Sequence, residues 1–156
     1  MTDPEQIPDF DLPAHPEGRL RSSDLRGRPT VLYFYPKDST SGCTVEAIEF
    51  TALHSRFREL GVGIVGVSRD SLSSHEKFAR KYAIPFPLLA DTESALCRAC
   101  DVIREKSLYG RRYLGIDRST FFFDAEGRLR EAWRNVKPRG HAQAVLERVM
   151  ATRMAP

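Results

Sequence analysis

Thr30-Val31-Leu32-Tyr33-Phe34-Tyr35, closed by Pro36, is a run of apolar, β-branched and aromatic residues without polar alternation. A strand buried on both faces reads this way, because neither face has to meet water. Pro36 brings no backbone N–H and ends the run. A polar loop, Lys37-Asp38-Ser39-Thr40-Ser41-Gly42, follows. From Cys43 to Leu60 apolar residues return at Val45, Ile48, Ala52, Phe57 and Leu60. That spacing is helical, with Val45, Ile48 and Ala52 expected on the core stripe and Gly61 as the stop. Gly63-Ile64-Val65-Gly66-Val67-Ser68 then reads as a second buried strand. Two buried strands bridged by a helix imply a parallel pair, and with it the α/β class.

The remaining elements extend that unit in both directions. Ser73 with Glu76 resembles a capping box, opening a helix through Phe78 and Tyr82 that stops before Pro85. Phe86 to Ala90 reads as a brief extended piece. Asp91 or Thr92 is expected to cap a short helix holding both Cys97 and Cys100. Ser119–Phe123 and Arg128–Trp133, joined across Asp124-Ala125-Glu126-Gly127, read as an antiparallel hairpin. A last helix runs from Gly140 to about Arg153. The order is βαβα, an inserted helix, then ββα: a thioredoxin-like fold with a mixed central sheet flanked by helices. Phe10 to Leu25 is a small N-terminal β-hairpin extension in front of it.

The length, 156 residues, suits a single domain spanning 1–156. No apolar run reaches the roughly 20 residues that cross a bilayer. Met1 to Pro13 lacks the basic-then-apolar pattern of a signal peptide. The expectation is a cytoplasmic protein with no membrane role. Net charge is +3, but Arg98 to Arg139 holds 11 Lys/Arg against 6 Asp/Glu. Such a stretch attracts anionic substrates, acidic proteins or nucleic acid. No nucleic-acid motif accompanies it, so a solvated basic face is expected and nucleic acid is not. Three cysteines in a cytosolic chain point to catalytic or inert thiols rather than a disulfide framework.

Cys43 falls in the first turn of a helix that follows a buried strand. Unpaired N–H groups and the positive end of the helix dipole favour thiolate there. Thr40, three residues earlier, is close enough for its hydroxyl to reach the sulfur or a bound oxygen. A free cysteine is only about 3% thiolate at pH 7, so full ionisation gains roughly 2 kcal/mol. Enzymes lower barriers by about 8 kcal/mol or more. The rest must come from groups that position a substrate and stabilise charge on a departing oxygen. A guanidinium suits that task, and Arg118 stands at the start of the Ser119–Phe123 strand.

The run Tyr35-Pro36-Lys37-Asp38, Thr40, Gly42-Cys43-Thr44 and Glu46-Ala47 resembles the active-site motif of peroxiredoxins. More narrowly it resembles the Q type, or bacterioferritin comigratory protein family. The likeness continues through Phe86-Pro87-Leu88-Leu89, Tyr109-Gly110, Gly115-Ile116, Arg118-Ser119-Thr120-Phe121, Val136-Lys137 and Gly140-His141-Ala142. It implies an antioxidant thiol peroxidase acting on hydrogen peroxide and organic hydroperoxides. Cys43 would be the peroxidatic cysteine, oxidised to sulfenic acid. Thr40 and Arg118 would hold peroxide and thiolate, Pro36 would shield the sulfur, and Glu46 would orient Arg118. No cofactor or metal is implied, and relatives of this type are often monomeric.

The sequence departs from the family where Ser41 replaces a common proline. It also lacks a resolving cysteine at the two usual places, which are Ile48 and a position near Ala79. Cys97 and Cys100 are the remaining thiols, with Cys97 expected to be the more exposed. A cycle in which thioredoxin, glutaredoxin or glutathione attacks Cys43 directly is favoured. An internal disulfide from Cys97 or Cys100 is the alternative. A thioredoxin-type reductase would need a dithiol where this chain has Thr40 and Cys43. Cys97-Arg98-Ala99-Cys100 is half of a zinc site at most, and the four histidines suit surface or capping roles. A sensor that records oxidation once, without turnover, is the non-enzymatic alternative.

Overall fold

A computed structural model describes residues 2–154. Met1, which begins the acidic N-terminal stretch, and residues 155–156 of the expected 1–156 span lie outside the described residues. The strands are β1 (Asp11–His15), β2 (Gly18–Arg21), β3 (Thr30–Phe34), β4 (Gly63–Ser68), β5 (Leu88–Ala90), β6 (Ile103–Leu108), β7 (Arg111–Ile116), β8 (Ser119–Phe123) and β9 (Leu129–Trp133). The helices are α1 (Ser41–Glu59), α2 (Leu72–Tyr82), α3 (Ala95–Ala99) and α4 (His141–Met154).

Seven strands form one mixed sheet in the order β2-β1-β5-β4-β3-β8-β9. β3, β4 and β5 run parallel, and β8 lies antiparallel to β3 with Phe34 opposite Ser119. Every residue of β3 and β8 is buried, as an unbroken apolar run requires. The N-terminal hairpin β1–β2 adds to the β5 edge. Alternate residues of each strand supply two cores. Val31, Tyr33, Tyr35, Ile64 and Phe122 pack with Ala47, Phe50 and Phe57 of α1, Phe78 of α2 and Leu146 of α4. Leu32, Phe34, Val65, Val67, Phe121 and Phe123 pack on the other face with Leu96, Cys97 and Cys100.

Several expectations change. The cap of α2 is Ser71, whose hydroxyl accepts from the Ser74 N–H, rather than Ser73 with Glu76. The stripe Val45–Ile48–Ala52 turns away from the core, and Ile48 is 47% exposed. The inward face of α1 is Cys43, Glu46, Ala47, Phe50 and Phe57. Asp91 does cap α3, its carboxylate accepting from the Leu96 and Cys97 N–H groups, although Ser94 occupies the N-cap position. Cys100 lies just past the helix end, and Cys97 is as completely buried as Cys100. His75 and His141 are buried too. A second, two-stranded sheet, β6–β7, is additional to the sequence reading.

Candidate active site

The chain reaches Cys43 through a loop tied down at Asp38. Tyr35 N–H still pairs with Val67 O (3.0 Å), after which half-buried Pro36 leaves the sheet. The Asp38 carboxylate accepts from Tyr35 Oη (2.6 Å) and Ser74 Oγ (2.8 Å) and faces His75 Nδ1 (2.7 Å). His75 Nε2 donates to Leu89 O (2.9 Å), so the remaining ring nitrogen is the one that meets the carboxylate. The Asp38 N–H is bound by Asp70 (2.8 Å). This cluster joins the end of β3 to α2 and β5. It is legible in the sequence only as an isolated Asp and a scattered His.

Thr40 is the N-cap residue of α1, and its carbonyl accepts from Thr44 N–H (2.9 Å). Its hydroxyl donates to Lys37 O (2.8 Å) and is exposed, so it is not bonded to the sulfur in this state. Cys43 sits in the first turn, 2% exposed. Arg118, just before β8, forks across it: Nη2 donates to Cys43 Sγ (3.4 Å) and Nη1 to Glu46 Oε1 (2.7 Å). Cys43 and Glu46 are one turn apart on the same face of α1, which lets one guanidinium span both.

Glu46 is fully buried and its Oε2 has no partner. Burial pushes its carboxyl up to about 7, with Arg118 pulling the other way. Arg118 stays cationic, held up by Glu46 and Cys43 against the opposing effect of burial, which is its largest influence. Gly42, which the sequence reading quotes in the motif without a role, belongs to the site. A Cβ there would lie 3.2 Å from Arg118 Nη2 and 3.2 Å from Pro138 Cγ. Behind Arg118, His141 Nε2 and Thr120 Oγ1 are 2.8 Å apart, and burial, then Arg118, hold the imidazole down at about 4.

Beside this turn a cavity of about 270 Å³ is lined by Ser41, Gly42, Val45, Pro138 and Arg139. A larger one, about 420 Å³, lies at the other end of β3 among Thr30, Arg28, His54 and Phe86 and contains no cysteine. Cys97 and Cys100 are not brought to the site; the sheet separates them from Cys43. Burial pushes Cys97 far up, with Asp91 adding to it, and pushes Cys100 up to about 12. Among the described residues no group of three or more His, Cys, Asp or Glu is placed to hold a metal ion. Among the described residues no helix is long and apolar enough to cross a membrane.

Comparison with known proteins identifies the family. Residues 4–132 match the AhpC/TSA family. The chain is 51% identical over 145 residues to peroxiredoxin Bcp of Xanthomonas campestris pv. campestris, covering 91% of this chain and 90% of that one. It is 46% identical over 143 residues to peroxiredoxin Bcp of Bacillus subtilis, covering 92% and 91%. A solved structure of the bacterioferritin comigratory protein of Xanthomonas campestris, described for its alkyl peroxide reduction activity, superposes with a TM-score of 0.88. It is 46% identical, covering 92% of both chains. The chain therefore belongs to the AhpC/TSA family as a peroxiredoxin, an oxidoreductase that reduces peroxides.

Proposed function

We propose that the chain reduces hydrogen peroxide and organic hydroperoxides at Cys43, and that an external thiol (thioredoxin, glutaredoxin or glutathione) restores it. The observation that carries this reading is the Arg118 fork, which touches Cys43 Sγ and the Glu46 carboxylate together. The Cys43 thiolate attacks the terminal peroxide oxygen, the O–O bond breaks, and the departing alkoxide or hydroxide takes up a proton. Cys43 is left as sulfenic acid. Arg118 stabilises the thiolate beforehand and the leaving oxygen during the step, being a fixed donor in a partly dry site. Glu46 fixes the plane of the guanidinium. Thr40 turns its hydroxyl from Lys37 O to the bound peroxide, and Pro36 covers the sulfur. The cavity beside Val45 and Pro138 gives room for the organic part of a hydroperoxide.

Cys97 and Cys100 act as core residues in this cycle. Each would have to pass the sheet to bring its Cα within roughly 7 Å of that of Cys43. The external thiol attacks the sulfenic sulfur, expelling water, and a second thiol equivalent frees Cys43, with the chain working as a monomer. The test is Cys43→Ser, with its fold checked by circular dichroism. Peroxide consumption with any thiol should vanish while the spectrum stays the same. Turnover near the wild-type rate would refute the mechanism.

A further inference from the structure

Nothing in this cycle uses the basic residues between Arg98 and Arg139, apart from Arg118. The fold gathers several of them on the β6–β7 hairpin, which stands outside the central sheet. Its register pairs Arg104 with Gly115, Lys106 with Tyr113 and Leu108 with Arg111, so these six share one face. Lys106 lies across that face. A Cβ at Gly115 would meet Lys106 Cδ at 3.1 Å and Tyr113 Cε2 at 3.2 Å, and Lys106 Nζ donates to Ile116 O. Ile116 lies two residues before Arg118, so the inner end of this face borders the site. Tyr109 at the tip is 98% exposed, Leu108 56% and Tyr113 46%.

This composition is that of an interface centre rather than of a solvated arm. Exposed tyrosines beside arginine are among the residues that dominate binding energy when covered. Arg112 pairs with Glu105 at 3.3 Å, whereas Arg111 has no carboxylate partner among the described residues. A partner with negative charge would complement that surplus. It must also bring a thiol, because the sheet keeps Cys97 and Cys100 from Cys43. A small thiol can enter at Arg118 but is too short to cover Leu108, Tyr109 and Tyr113 as well.

We propose that the Lys106–Leu108–Tyr113–Arg111 face, with Tyr109 at its tip, docks a protein dithiol whose surface around its nucleophilic cysteine is acidic. The proposal rests on the reading that an external thiol resolves Cys43. The partner's first thiol attacks the Cys43 sulfenic sulfur, forming a mixed disulfide and releasing water. Its second thiol then attacks its own first sulfur, which returns Cys43 as a thiol and leaves the partner as a disulfide. The two electrons come from the partner.

The test compares the wild type with Tyr109→Asn/Arg111→Glu. Both residues are exposed and remote from the chemistry, and Asn tolerates the positive φ of 52° at position 109. A thioredoxin of negative net charge, glutathione and dithiothreitol serve as reductants. Cys43 oxidation by hydrogen peroxide, read by mass spectrometry in a single turnover, should be unchanged. kcat/KM for the thioredoxin should fall at least tenfold, with dithiothreitol and glutathione rates unaffected. In the wild type kcat/KM should also fall as salt rises, because the steering charges are screened. Unchanged kcat/KM for the thioredoxin overturns the proposal, as does turnover that glutathione supports and the thioredoxin does not. A sedimentation shift in the variant does so too, since it would make the face a contact between copies of this chain. Absence of wild-type Cys43 oxidation, or a disulfide from Cys43 to Cys97 or Cys100, instead refutes the underlying reading.

Discussion

Replacing Gly42 by alanine should separate stability from reactivity. The backbone at Gly42 is not left-handed, so alanine fits it. In a helix, alanine is favoured over glycine by up to about 1 kcal/mol, which predicts a melting temperature equal to or above that of the wild type. The new methyl, however, would lie 3.2 Å from Arg118 Nη2 and 3.2 Å from Pro138 Cγ. Ordinary contacts are longer, so one neighbour must yield by a few tenths of an ångström. Arg118 is pinned by its 2.7 Å bond to Glu46, and its other nitrogen already reaches Cys43 Sγ at 3.4 Å. Hydrogen bonds to charged groups are worth about 1.5–3 kcal/mol. Losing about half of that slows peroxide oxidation of Cys43 roughly three- to tenfold. Rapid mixing with peroxide, acid quenching and intact-mass counting of the sulfenic form measure the rate, and calorimetry measures stability. An unchanged rate would show that the fork has slack. A rate lost together with stability would refute the claim that the methyl acts on Arg118 alone.

Other perturbations test the same geometry from different sides. Arg118→Lys keeps the charge but loses the fork, and single-turnover oxidation should slow at least about tenfold; an equal rate would take the guanidinium out of the chemistry. Cys97→Ala/Cys100→Ala should leave both the first oxidation and thiol-driven turnover intact while lowering the melting temperature. Loss of turnover in that variant would make one of them a participant. His141 is held at about 4 in the folded chain, against about 6.5 when unfolded. Its share of stability is therefore full above about pH 6.5 and lost as pH falls towards 4, on the order of 3 kcal/mol. Glu46, raised to about 7, runs oppositely, its share being present below about 4.5 and lost as pH rises to 7. Urea unfolding of His141→Gln against wild type from pH 7 to pH 4 isolates the histidine, and a constant difference would refute its assignment.

Which parts of the molecule were legible in the sequence follows from where each side chain finds its partner. β3 and β8 are uniformly buried, and β4 is buried in all but its first residue, Gly63, so an apolar run suffices to find them. The face of α1 is harder, because its buried stripe contains a carboxylate. Glu46 points inward only because Arg118, 72 residues away, is there to bind it. Counting apolar residues alone rotates the stripe to Val45, Ile48 and Ala52, which is the exposed side. His75 and Asp38 are 37 residues apart, so neither alone signals their buried pairing. The β6–β7 hairpin meets the core only at its base, through Ile103 and Ile116, so the rest of its length has no core-facing apolar row. Its one local signal is Tyr109-Gly110, where both residues have positive φ, as a two-residue hairpin turn needs.

The separation of the thiols is a consequence of topology. β3, β4 and β5 step in one direction along the sheet, and right-handed crossovers then place α1 and α2 on the same face. Both helices share one core, and Cys43 belongs to it. After β5 the chain passes to the other face, where α3 packs with Leu32, Phe34 and Phe121. A thiol on α3 therefore meets the back of the strands that hold up the Cys43 loop. Bringing it forward would mean dissolving strand pairing along the centre of the sheet, whereas a thiol arriving from solvent needs only the opening beside Arg118. The positions from which an internal thiol could approach more easily are those on the Cys43 face, and there the chain has Ile48 on α1 and Ala79 on α2. With those residues in place, the proposed external thiol would meet Cys43 at the surface.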